Sequence, residues 1–136
     1  SYRLISELLF FCRKDKVMEN AITDINIVER KLLANIKRRP GMYIGKMSLE
    51  FLQNFFNGYN CAAKLHFNDE KHHILPEGFN DFVAVKLLGH NKTVLNYCSL
   101  IYETEGDEDK AVNMFFELLN ECLISQGFEP ISDCED

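Results

Sequence analysis

The sequence predicts a mainly α-helical protein, a compact, non-repeating bundle of five to six helices. Three observations carry that expectation. Apolar residues recur three and four apart through most of the chain, which is the spacing of one face of a helix. Capping residues stand before these runs, and Pro or Gly stands after them. Hydrophobic residues make up 46% and charged residues 26% of 136 residues, enough for one packed core and hardly enough for two domains.

The elements follow in order. Leu4, Ile5, Leu8 and Leu9 recur at helical spacing, and Phe10 and Phe11 widen the face. This predicts a helix over residues 3–13 that either docks on the core or meets a dimer partner. Residues 1–20 thus read as an apolar helix and its connector, residues 21–128 as the helical domain, and residues 129–136 as a loose acidic tail. Asp24 caps the next predicted helix, in which Ile25, Val28, Leu32, Leu33 and Ile36 form the buried face. Lys37, Arg38 and Arg39 suit its C-terminal dipole, and Pro40 stops it by removing a donor. Gly41 to Gly45 read as an extended or turning link that tucks Met42, Tyr43 and Ile44 into the core, with strand pairing between residues 42–44 and Ile74 left open. Ser48 caps a helix carrying Phe51, Leu52, Phe55, Phe56, Tyr59 and Ala63. Gly58 either ends that helix early or marks the close approach of another backbone.

Residues 66–78 read as a polar, mobile loop. A short helix follows, with Phe79, Phe82, Val83, Val85, Leu87 and Leu88, stopped by Gly89. Asn91 caps a helix carrying Val94, Leu95, Tyr97, Cys98, Ile101 and Tyr102. Asp107 caps the clearest helix, in which Val112, Phe115, Phe116, Leu119, Cys122 and Leu123 line one side and Gly127 ends the run.

Charge narrows the function classes. The formal net charge of −6 disfavours direct contact with nucleic acid and favours a basic partner. One basic patch, Arg30, Lys31, Lys37, Arg38 and Arg39, is too little for a phosphate-reading surface; it suits pairing with the acidic helix start near Asp107, or a dimer contact. The five cysteines form no CxxC pair. Cys61, Cys98 and Cys122 read as buried small hydrophobes in a reducing, cytoplasmic setting. No run is long enough to span a membrane as a helix, and the flanks of the apolar residues 4–11 make a poor signal peptide.

No catalytic constellation assembles. His66, His72 and His73 lie near Asp69 and Glu70, but no HExxH motif is present and adjacent histidines point different ways in regular structure, so a solvated loop is expected and no metal or cofactor. No G-x-S-x-G elbow exists, and Cys61 with His66 or Cys98 with His90 reads as a packed thiol and a surface imidazole.

The string Arg39-Pro40-Gly41-Met42-Tyr43-Ile44-Gly45 carries two resemblances. Over about ten residues it resembles the start of the ATPase domain of gyrase B and related type II topoisomerases. The next helix, however, reads Phe55-Phe56-Asn57-Gly58-Tyr59-Asn60, without the Glu and Asp-Asn that such enzymes place there, and no Asp-x-Gly-x-Gly turn follows. More of the chain, residues 29–125, resembles small bacterial proteins that accompany polymorphic toxins. The shared pieces are residues 39–45, Phe55 to Tyr59, Phe79-Asn80-Asp81-Phe82, and Asp107 to Leu119. That resemblance implies an immunity protein, not an enzyme, which neutralises a toxin by stoichiometric occlusion. A toxin nuclease has a basic active site, so the expected binding residues are Glu103, Glu105, Asp107, Glu108 and Asp109, with Tyr97 and Tyr102 as aromatic anchors. The alternative is a self-associating structural or regulatory domain that dimerises through residues 3–11.

Overall fold

The structure, a computed structural model, describes residues 27–132. Six helices fill them: α1 Ile27–Arg38, α2 Pro40–Ile44, α3 Leu49–Phe67, α4 Phe79–Leu88, α5 Tyr97–Thr104 and α6 Glu108–Ser125. No strand occurs among the described residues. The expected all-α bundle is therefore what forms. The predicted N-terminal helix, the Asp24 cap and the last four residues lie outside the described part.

Helix α6 is the central element. The Asp107 carboxylate accepts the Lys110 backbone N–H at 3.0 Å, and Glu108 and Asp109 occupy the positive end of its dipole. Phe115 and Leu119 are wholly buried on its inner face. The Phe115 ring lies 5.7 Å from Phe56 of α3, 5.6 Å from Phe79 of α4 and 5.5 Å from Tyr97 of α5. One side chain thus ties four helices together, and burying each such ring stabilises the fold by about 1.5–3 kcal/mol. Around it, α4 packs on α5 and α6, while α3 packs on α5 and α6. α1 and α2 cover the start of α3 as a chain of neighbours. Helices α3 and α4 hardly touch, and the gap between them is the cleft described below.

Several expectations are corrected. Pro40 does end α1, but it also starts the five-residue helix α2 rather than an extended link; Pro at a first helical turn loses no bond the helix needs. Only Ile44 of that segment is fully buried, and Met42 is 71% exposed. The buried face of α1 runs through Glu29, Leu33 and Ile36, while Val28 is 63% exposed. α3 passes straight through Gly58, where an added Cβ would meet nothing within 4 Å. It continues to Phe67, so the loop begins later than expected.

That loop is not merely polar. Ile74 and Leu75 plug the core, and His72 is buried beside them. α5 starts at Tyr97, because the Asn96 side chain, not that of Asn91, accepts the cap bond from the Ser99 N–H at 3.0 Å. Val94 is left fully exposed. The C-terminal segment is tethered as far as it is described. Ile131 is buried, its N–H donates to Asn120 at 2.7 Å, and Arg30 donates to the Pro130 carbonyl at 2.7 Å. Cys98 and Cys122 are buried as expected, but Cys61 is exposed.

Candidate functional site

An open cleft of about 990 Å³ lies between α3 and α4. One wall is a polar stripe of α3, Gln53, Asn57, Asn60 and Lys64, spaced so that all four share a helix face. The facing wall is the first turn of α4 with Asn80 and Asp81, and the start of α5 with Asn96 and Tyr97. Phe56, Leu75 and Phe79 form the floor. Glu70, Lys71 and His73 close one end.

Backbone groups fix three of the carboxamides in this cleft. Asn60 accepts the Ile74 N–H at 2.8 Å, Asn80 accepts the Tyr97 N–H at 2.8 Å, and Asn96 caps α5. With its oxygen committed, Asn60 turns its amide nitrogen toward His73 Nε2, at 3.1 Å. His73 Nδ1 faces the Leu75 N–H at 3.2 Å. A neutral imidazole carries one N–H, so only one of these two nitrogens accepts at a time. Partial burial first, then the nearby Lys64 ammonium, lower the His73 pKa.

The loop that carries His73 is anchored through its neighbour. His72 Nε2 lies 2.7 Å from Glu29 Oε2, and the Tyr59 hydroxyl donates to the same oxygen. Glu29 is 1% exposed, so the carboxylate is held deep between α1, α3 and the loop. The Phe67 ring stacks on His72 at 4.9 Å. Burial first, then the bond to Glu29, raise the Tyr59 pKa and keep its hydroxyl a donor. His72 and His73 thus serve different partners. Among the described residues, no group of three or more His, Cys, Asp or Glu side chains is placed to hold a metal ion.

The acidic residues singled out from sequence stand at a second place, the corner where α5 ends and α6 begins. Glu103, Asp107, Glu108 and Asp109 are exposed, and Glu105 is half-buried. Tyr102 organises this corner. Its hydroxyl accepts the Leu49 and Glu50 N–H groups, at 3.1 and 3.2 Å, and donates to Glu108. It joins the start of α3 to the start of α6 and sets the Glu50 backbone beside the acidic group. Tyr97 does not join it; it is 7% exposed, packed against Phe79 and Phe115, and it lines the cleft.

No family model, curated protein or solved structure matches this chain. The site must therefore be read from its own chemistry. Burial raises the Cys98 and Cys122 thiols to about 11, so neither is a thiolate near neutral pH. His90 turns back on its own loop, facing the Lys92 N–H at 3.1 Å. Among the described residues no helix is long and apolar enough to cross a membrane.

Sequence reasoning missed the cleft and Glu50. The cleft had one linear signal, the polar stripe at 53, 57, 60 and 64 running opposite an apolar one. Glu50 had none, since it meets residues 103–109 only through the fold.

Proposed function

We propose that this domain is a stoichiometric binder of a basic protein, an immunity-like protein that covers the active site of a bacterial toxin nuclease in the cytoplasm. The observation that carries the reading is the acidic corner. Acidic residues gather from three helix ends, Glu50 at the start of α3, Glu103 and Glu105 at the end of α5, and Asp107 to Asp109 at the start of α6, and the Tyr102 hydroxyl ties these ends together through the Leu49 and Glu50 N–H groups and the Glu108 carboxylate. The net charge of −6 extends that field over the molecule. Such a surface speeds encounter with a basic partner, and its carboxylates occupy positions that substrate phosphates take on the nuclease. Inhibition by coverage needs no chemistry in this chain. The resemblance of residues 29–125 to proteins that accompany polymorphic toxins supports the same reading.

The test is affinity capture from the native cell with the full chain as bait, at low and then moderate salt. The expected result is one basic protein in equal ratio, released as salt rises. Recovery of the bait alone, as a discrete dimer, would overturn the reading in favour of self-association.

A further inference from the structure

The cleft holds donors that the fold leaves unused. Asn80 and Asn96 spend their side-chain oxygens on the backbone of α5, and among the described residues their NH₂ groups have no partner. Tyr97 is more than nine-tenths buried and lines the cleft, yet among the described residues no group engages its hydroxyl. Burial keeps that hydroxyl protonated by raising its pKa, so it remains a donor. α4 begins in the same place without a side-chain cap, at Gly78. These donors sit on rigid elements, and locked groups lose little entropy when a ligand arrives.

The shape of the cleft identifies the ligand class. It runs along α3 from Gln53 to Lys64, about 16 Å at the helical rise. That is the span of about five residues of extended chain. Free carboxamides at Gln53 and Asn57 each offer a donor and an acceptor, matching a peptide group. Glu70, Glu77 and Asp81 outnumber Lys64 and Lys71 on the lining, which favours cationic side chains.

We infer that the cleft receives an extended basic segment of a partner polypeptide, with backbone carbonyls on the Asn80 and Asn96 amides and the Tyr97 hydroxyl. The inference rests on the reading of the domain as a binder of a basic protein and adds a second contact, separate from the acidic corner. Carboxylates at the cleft rim hold the Lys or Arg side chains of the segment. The amide and phenol donors supply the register that charge alone does not give.

The probe is a pool of N-acetylated, C-amidated pentapeptides built from Gly, Ser, Lys and Arg, titrated into the full chain and followed by amide NMR. The expected result is saturable movement of the Asn80 and Asn96 side-chain NH₂ signals. A pool of Gly and Ser alone should bind more weakly. Tyr97→Phe keeps the ring in the core and removes only the hydroxyl; it should weaken binding about fivefold. Asn96→Asp keeps the cap oxygen and adds attraction for basic peptides, yet should also weaken binding because the donor is gone. Peptide shifts confined to residues 103–109, equal binding of the uncharged pool, or no effect of either variant would overturn the inference. The two readings fail separately. If partner capture depends on the acidic corner while the cleft signals stay still, only the cleft inference falls. If peptides move the cleft signals but no basic partner is captured, only the functional reading falls.

Discussion

Single side chains do unequal work in this domain. Glu29 is the most consequential polar residue, because it is buried with His72 and Tyr59 on one carboxylate oxygen. Replacing it by Ala leaves both partners without that acceptor and should cost about 3 kcal/mol, read from urea unfolding. Tyr102→Phe removes one hydroxyl that serves Leu49, Glu50 and Glu108, and should cost about 1–2 kcal/mol by the same measurement. His73 sets a pH dependence. Its pKa is lowered in the folded chain, so the unfolded chain takes up the proton first as pH falls. Its contribution is complete above about pH 6.5, the unfolded value, and is lost as pH falls through the folded value. His73→Asn should flatten that part of the stability profile in urea melts between about pH 7 and 5. None of these roles was legible in the sequence. The polar residues of 66–78 look like solvated loop, and a Glu in a helix looks like surface. Only the fold reveals that one faces the other across the core.

Elements were easier to foresee than their edges. α6 was readable throughout, since its cap, its acidic first turn and its apolar face agree. α5 starts five residues later than the Asn91 cap implies, and packing sets that start: Val94 finds no core to enter, whereas Tyr97 does. The link after Arg39 turned helical because Pro40 presets the backbone angle for a first turn. Two glycines separate local geometry from sequence habit. Gly58 lies inside α3 with open space where a Cβ would stand, so Gly58→Ala should stabilise the domain by about 0.5–1 kcal/mol. Gly89 ends α4 with φ of 85°, so Gly89→Ala should destabilise it by a similar or larger amount, about 1 kcal/mol. Thermal melts of the pair should move in opposite directions.

At the scale of the whole molecule, the six helices of the described residues present two surfaces proposed to meet a partner. One is the acidic corner held by Tyr102, and the other is the amide-lined cleft between α3 and α4. The net negative charge is legible in the composition, and the acidic run of residues 103–109 in the order of the sequence. Its enlargement by Glu50 and the placement of Tyr97 in the cleft were not, because both depend on how helices distant in sequence meet. The central claim is that the acidic corner steers a basic partner onto this domain. The measurement that tests it most directly is the association rate of the captured partner with the parent chain and with the double variant Glu103→Lys/Asp109→Lys, at two salt concentrations. Neither residue is an N-cap or bonds to Tyr102; Asp109 lies in the first turn of α6, where its reversal should cost about 1 kcal/mol or less through the helix dipole, so the fold should persist. The association rate should fall about tenfold at low salt and depend less steeply on salt. An unchanged rate and an unchanged salt dependence would contradict it.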